Sequence, residues 1–389
     1  MQNVWGLIES LQAVSHMPLY KIKSPGNINA FIAFFDQIAS FEFIDTSEYT
    51  SSFAYWPEMD GFSLNFKNAG FDSSLMVPEL GTIFYMLLGS LALALVHVLL
   101  MGITLLFPKA SCLSDRVRNY LYWNGSIRFF METYLDFALL ALLNVKELDW
   151  DLDFWSVRLS NYLAIIVTVL TCTLPVFFLF FYAYKLKKWE DEKFQRKYGA
   201  LLEGTDQERE TSQWVVILVP LSFFVRRMTM SLVLVFWHDF LWGQLALQLY
   251  LSIFILIFIG WTRPLDSDFA NNMELFNEVI GILSMYCLML FSDFVGDPEA
   301  RAVCGYGFIG IVCIFALVHI FILIQDTCSS LYQAIRRKYY KGRNQRIREE
   351  LIAKQKEKLR QREIMKSTLI ATKLMPQAFN GPNMRLPTN

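Results

Sequence analysis

LGTIFYMLLGSLALALVHVLLMGITLLF, residues 80–107, holds no Asp, Glu, Lys or Arg. A bilayer's hydrocarbon layer is about 30 Å thick and takes roughly 20 helical residues to cross. A helix also satisfies its own backbone in lipid, so Leu80–Phe107 reads as a membrane span. Five further runs share this character: Leu159–Tyr184, Trp214–Trp237, Phe240–Trp261, Met273–Leu290 and Val303–Ile324. A seventh candidate, Phe129–Val145, carries Glu132 and Asp136. The chain is 54% hydrophobic and 18% charged, against about 45–50% and about 25% in soluble domains. That balance excludes a water-soluble enzyme on one core, a disordered chain, a collagen and a disulfide-stapled secreted module.

Short loops rich in Lys and Arg stay on the cytoplasmic side. Lys109, Arg116, Arg118 and Arg128 precede Phe129–Val145. Lys185, Lys187, Lys188, Lys193, Arg196 and Lys197 follow the third run, and 13 Lys/Arg stand against four Glu from Arg336 to Lys366. Glu147, Asp149, Asp151 and Asp153 crowd one opposite loop, and Asp293, Asp297 and Glu299 sit near another. Seven spans put every basic segment inside and every acidic loop outside. Six, with Phe129–Val145 lying on the surface, move the 109–128 group outside. The sequence therefore predicts an all-α polytopic membrane protein with a seven-helix bundle over 78–328. Its N-terminus is outside and its C-terminus inside.

Residues 1–77 hold eight acidic groups, three Lys and no Cys. They lack the charged start and continuous apolar core of a signal peptide. Phe31–Phe35 and Phe41–Ile44 are short apolar patches around Asp36 and Glu42, which predicts a small folded or interface-lying cap. An outside N-terminus then calls for Leu80–Phe107 to act as a reverse anchor, or for a longer precursor, and inverted topology is the alternative. The six Cys (Cys112, Cys172, Cys287, Cys304, Cys313 and Cys328) form no CxxC pair. Metal-ligand spacing is absent, and buried thiols acting as small hydrophobes account for them.

A charge within the hydrocarbon layer costs several kcal/mol unless it is paired or faces water. Arg226 and Arg227 fall mid-way along Trp214–Trp237. Glu132 and Asp136 are four apart, as are Glu274 and Glu278 beside Asn272 and Asn277, so each pair shares a helical face. One reading is a polar seam of Arg226 or Arg227 against these acids, lining an ion or lipid pathway. A second is that paired charges fix helix register. A third starts the span near Arg226, after an interfacial helix ended by Pro220, with both arginines snorkelling. His97 and His319 read as packing histidines, Gly81, Gly89 and Gly102 as helix-packing positions, and Pro175 as a kink. No GxxxxGK[ST], HExxH or Ser/His/Asp arrangement is present. The sequence therefore predicts no enzyme, no cofactor and no metal site.

Leu331–Met375 reads as one long basic helix, the cytoplasmic element at 329–375, followed by a loosely ordered end at 376–389. Arg336, Arg337, Lys338, Lys341 and Arg343 cluster at its start. Such juxtamembrane clusters attract anionic headgroups at about 1 kcal/mol per charge. A solvated helix that only sets topology is the alternative. Nucleic-acid binding is not expected, because aromatic interleaving stops after Tyr340.

Arg263-Pro264 followed by Met273-Glu274-Leu275-Phe276-Asn277-Glu278 resembles the membrane domain of TRP-like proteins. So do Ser222-Phe223-Phe224-Val225-Arg226-Arg227, Ser24-Pro25-Gly26-Asn27 ahead of Phe31–Ile44, and Leu80-Gly81-Thr82-Ile83-Phe84-Tyr85. The likeness covers most of 20–330. It is strongest to very large ciliate proteins with cysteine-rich ectodomains, and fungal TRP-like and flavin-carrier-type proteins share a weaker version. The resemblance implies a TRP-like helical bundle, a long precursor or lost ectodomain and, by analogy, cation permeation. One feature departs from TRP channels, whose pore helix and filter lie between the last two spans. Here only Ser292–Ala302 joins them, about 11 residues, which a three-turn helix would consume.

Two functions follow from this reading. The first is a membrane subunit that anchors or assembles a larger surface complex, favoured because the pore segment is missing. The second is a cation channel or transporter with Arg226, Arg227, Glu132, Asp136, Glu274 and Glu278 along its route. Expected partners are the bilayer with its anionic lipids and other chains or further copies. The expected location is the plasma or ciliary membrane.

Overall fold

The computed structural model of the chain describes residues 16–22, 24–39, 54–57, 61–106, 114, 117–118, 121–122, 125–151, 153–185, 198–202, 204–205 and 213–378. Two compact units divide it, Met1–His319 and Ile320–Asn389. Among the described residues there is no β-strand, only one bridge between Thr205 and Leu265. The first unit opens with a 3-10 turn at Met17–Leu19, then α1 (Gly26–Ala39) and α2 (Leu64–Asn68). Long helices follow: α3 (Gly81–Leu106), α4 (Gly125–Lys146), α5 (Trp155–Lys185), α6 (Gln213–Phe236), α7 (Leu241–Thr262), α8 (Asp268–Met289) and α9 (Pro298–Ala378). Helix α9 runs on into the second unit.

Six of these helices are long and apolar enough to cross a membrane: α3, α5, α6, α7, α8 and the first part of α9. The molecule is a multi-pass, all-α membrane protein. Helix α4 matches the others in length and not in apolar character. It packs along α5 and α6, and its residues Thr133 to Asn144 are buried except Asp136. Helix α3 is the opposite case, with only 11% of its most apolar window buried. It presents almost its whole circumference to the surroundings, as a lipid-facing helix can and a soluble one cannot.

Helix ends obey local rules. Ser63 caps α2 by accepting from Phe66 N at 3.4 Å, and Ser267 caps α8 by accepting from Ala270 N at 3.1 Å. Helix α7 stops at Arg263, whose φ of 43° is left-handed, and Pro264 cannot continue it. The Asn271 amide closes the turn into α8 by bonding both the N–H and the carbonyl of Leu265. Helix α5 passes unbroken through Pro175. Proline removes the N–H that would bond the Thr171 carbonyl, and the Tyr134 hydroxyl of α4 donates to that carbonyl at 2.8 Å instead.

One end of the bundle, where α6 gives way to α7 and α8 to α9, carries the N-terminal residues. We call it the cap end. Ile28 and Ile32 of α1 and Phe66 of α2 are buried there with residues of α4, α6, α7, α8 and α9. The Asn27 amide donates to Ala302 O at 3.1 Å. Asn27 fits only because residue 305 is glycine, since a Cβ there would stand 2.8 Å from its terminal atoms. A buried knot of Asn144, Ser160 and Asn161 holds the turn before α3. Asn144 Oδ1 accepts from Ser160 Oγ at 2.9 Å and from Met76 N at 3.3 Å, and Asn144 Nδ2 donates to Asn161 Oδ1 at 3.0 Å. The described part of the cap therefore packs among the helices at this end. Phe41–Ile44, Cys112, the basic positions 109, 116, 187, 188, 193, 196 and 197, and residues 379–389 lie outside the described residues.

Candidate functional site

Charged side chains meet half-way along α6. Helix α6 runs continuously through Pro220, so Arg226 and Arg227 stand inside the helix and not at a span's start. The Arg226 Nη1 donates to Glu278 Oε1 of α8. Glu278 is 1% exposed and Arg226 33%. The second oxygen, Glu278 Oε2, is buried without a hydrogen-bond partner among the described residues. Arg227 turns toward α4. It donates to Met131 O at 2.9 Å and lies 4.0 Å from the Phe223 ring centre, a cation–π contact.

The remaining predicted residues extend this arrangement along the bundle. Glu132 is partly buried on α4 next to Met131. Asp136, one turn further, meets His16 Nε2 of the cap at 3.1 Å. On α8, Glu274 Oε2 accepts from Asn277 Nδ2 at 3.1 Å, and Asn277 Oδ1 lies 2.9 Å from His319 Nε2 of α9. Because Oδ1 only accepts, the His319 proton sits on Nε2. Arg226 and Glu278 are thus brought together directly. Arg227 lies against Met131 of α4, Asp136 meets the cap through His16, and Glu274 belongs to the α8–α9 side. Arg336, Arg337 and Lys338 are exposed on α9 in the second unit, and Arg336 lies 5.5 Å from the Tyr340 ring centre. The side chains of Lys341, Arg343 and Asp293 lie outside the described residues.

Two features escaped sequence reasoning. Gln244, Gln248 and Ser252 of α7 are buried. Their spacing of four in an otherwise apolar run puts them on one face, and that spacing was the available signal. Gln244 Nε2 donates to Val233 O at 3.0 Å and Trp237 O at 2.9 Å, closing the end of α6. The second feature is Tyr20, fully buried, with a hydroxyl that has no hydrogen-bond partner among the described residues. Burial pushes its phenol well above the usual value, and the nearby Arg226 guanidinium draws it part of the way back. An unmade buried bond of this kind costs about 1–3 kcal/mol. Nothing in the sequence around Tyr20 signals its depth.

Around Tyr20 the cap is fastened at its rim. Lys21 Nζ bonds Asp239 Oδ1 at 2.6 Å, and that bond holds the Asp239 carboxyl below the usual carboxylate range. His238 packs edge-on to Phe62, with ring centres 5.1 Å apart. Burial, then the charge of Lys21, push its imidazole down.

Between α8 and α9 the backbone makes a short π-helical turn at Leu290–Phe294, and helix resumes at Pro298. No pore helix intervenes. A re-entrant filter is therefore not the device this geometry offers. Buried and half-buried polar groups lie instead along α4, α6, α7 and α8.

A family model described as transient receptor potential (TRP) ion channel matches residues 81–352, well over half of the chain. The match begins at the first residue of α3 and leaves out the cap. No curated protein and no solved structure matches the chain.

Proposed function

Because the chain belongs to the transient receptor potential ion channel family, we propose that it moves cations across a membrane along the polar seam of α4, α6 and α8. The observation that carries this reading is the Arg226–Glu278 pair. A carboxylate 1% exposed, with one oxygen unspent, stands mid-way along a helix long enough to span lipid. Ionisable groups in that position pair with one another and mark ion or substrate routes. Glu278 is the group a passing cation would meet, and Arg226 the group that would release it. The family match favours permeation over the anchoring role that the missing pore segment suggested.

In this reading α4 is a seventh span, shielded from lipid by its neighbours. The cap end faces outward and the basic part of α9 faces the cytoplasm, where Arg336, Arg337, Lys338, Lys341 and Arg343 meet anionic headgroups. The protein acts without enzymatic chemistry, in the plasma or ciliary membrane, with other chains or as a homo-oligomer. The test is cation flux from liposomes holding the purified full chain. Flux that falls at least tenfold in Glu278→Gln, with helicity and a cooperative thermal transition retained, supports the proposal. No flux above empty liposomes, or flux indifferent to Glu278→Gln, overturns it.

A further inference from the structure

The segment His16–Ile22 is an irregular stretch of backbone seated among the bundle's helices at the cap end. Met17, Leu19 and Tyr20 are at most 5% exposed, and they share a core with Leu139 of α4, Leu234 of α6, Leu245 of α7 and Phe308 of α9. Irregular backbone is tolerated inside a membrane bundle only where protein buries it or a water-filled cavity borders it. Here it is carried by turn bonds of its own and by Asn65, whose Nδ2 donates to Tyr20 O at 2.6 Å and Pro18 O at 3.4 Å.

Three observations set this segment apart from ordinary core. It precedes the residues that match the channel family. Its deepest side chain has an unmade hydrogen bond, which is uncommon in a buried group and calls for an account. Its outer latch, Lys21 with Asp239, is largely exposed, with side chains at 53% and 87%, and exposed pairs hold weakly. The segment is thus driven in by apolar contact, opposed by a stranded hydroxyl and latched at an exposed rim.

We propose that His16–Ile22 is a tethered plug that closes the cap end of the polar seam to water, with Tyr20 as its tip and Asp136 as the inner contact of His16. The proposal rests on the permeation reading for its purpose and on the packing alone for its existence. Tyr20→Phe keeps the plug, because the hydroxyl has no hydrogen-bond partner among the described residues. Tyr20→Ala removes the tip.

Two readouts separate the possibilities. Ser231, fully buried on α6, is replaced by cysteine, and its labelling by a water-soluble methanethiosulfonate is followed by mass spectrometry in the reconstituted full chain. Cation flux is measured on the same liposomes. Tyr20→Ala is expected to speed labelling of residue 231 at least tenfold and to raise flux, while Tyr20→Phe matches the parent. Because Tyr20→Ala can also act by loosening the fold, a second variant leaves Tyr20 in place. Asn27 Cγ lies 3.1 Å from where a Cβ of residue 305 would stand, a separation that a disulfide bridges. Asn27→Cys/Gly305→Cys, in a Cys304→Ala background, locks the cap to α9. Its oxidised form is expected to label slower than the form reduced and freed of reductant. Labelling unchanged by Tyr20→Ala, labelling raised equally by Tyr20→Phe, or labelling indifferent to the disulfide overturns the plug. Faster labelling without flux keeps the plug and removes the permeation reading.

Discussion

Replacing Arg226 by glutamine strands a carboxylate at 1% exposure, and the size of the penalty follows from how open the pair is. Removing one partner of a buried pair costs about 3–5 kcal/mol, whereas an exposed pair is worth about 0.2–1 kcal/mol. Arg226 keeps 33% exposure, so the pair is enclosed by protein on one side only. That puts Arg226→Gln at the low end of the buried range, about 3 kcal/mol. Glu278→Gln leaves a cation that already reaches the surface and keeps an amide oxygen to accept from it. Its cost is that of weakening one charge-assisted bond, about 1–2 kcal/mol. The double variant carries no buried charge and is expected to recover about 2 kcal/mol of the summed losses, as groups in contact do. The assay is unfolding by SDS titration in mixed micelles, followed by circular dichroism, on all four corners of the cycle. Single losses that add to within about 0.5 kcal/mol would show that the pair does not couple. Equal losses from the two single variants would show that burial of Glu278 is not the source of the cost.

Tyr134→Phe leaves the Thr171 carbonyl without its 2.8 Å donor and is expected to cost about 1–3 kcal/mol. Pro175→Ala in the same chain restores a backbone N–H and should recover most of that loss in the same titration. Gly305→Ala pushes a methyl to 2.8 Å from the Asn27 amide and breaks its bond to Ala302. Trypsin cleavage after Lys21 is then expected to speed several-fold, and an unchanged rate would refute the docking. At the cap rim the pH dependence has a definite sign. His238, faced by Lys21, Asp239 and Lys146, has its pKa lowered, so the unfolded chain takes up the proton first. Stability is therefore full above about 6.5 and is lost as pH falls below it. The lowered Asp239 carboxyl contributes above about 3.9 and is lost only at more acid pH. The thermal midpoint should thus drop between pH 7.5 and pH 5 in the parent. A drop of equal size in His238→Asn would refute the assignment.

How much of this was legible depended on which solvent each residue meets. Helices that face lipid announce themselves, because every turn must be apolar, and α3 and α5 followed directly from composition. The Arg226–Glu278 pairing was within reach of the sequence, because a charge in an apolar run needs an opposite charge and few candidates existed. Choosing among them was not, since residues 52 apart in the chain leave no local trace of their meeting. Tyr20 and the knot at Asn144, Ser160 and Asn161 were invisible for a related reason. Their burial is decided by the groove they fill, and short polar stretches before a span look alike whether they lie on the surface or inside.

Helix α4 shows why the span count was the hardest part of the fold to read. Hydropathy measures what lipid would accept, and α4 meets little lipid. Eleven of its residues are buried among α5, α6 and the cap, so its sequence answers to protein neighbours, which accept Thr133, Tyr134 and Asn144 as partners for carbonyls and amides. A helix wrapped in protein can carry Asp136 because the cap supplies His16, and its carbonyl at Met131 takes a bond from Arg227. The same reasoning runs in reverse for function. The proposed route draws on α4 because that helix carries Glu132 and Asp136, the same acids that hide it from hydropathy.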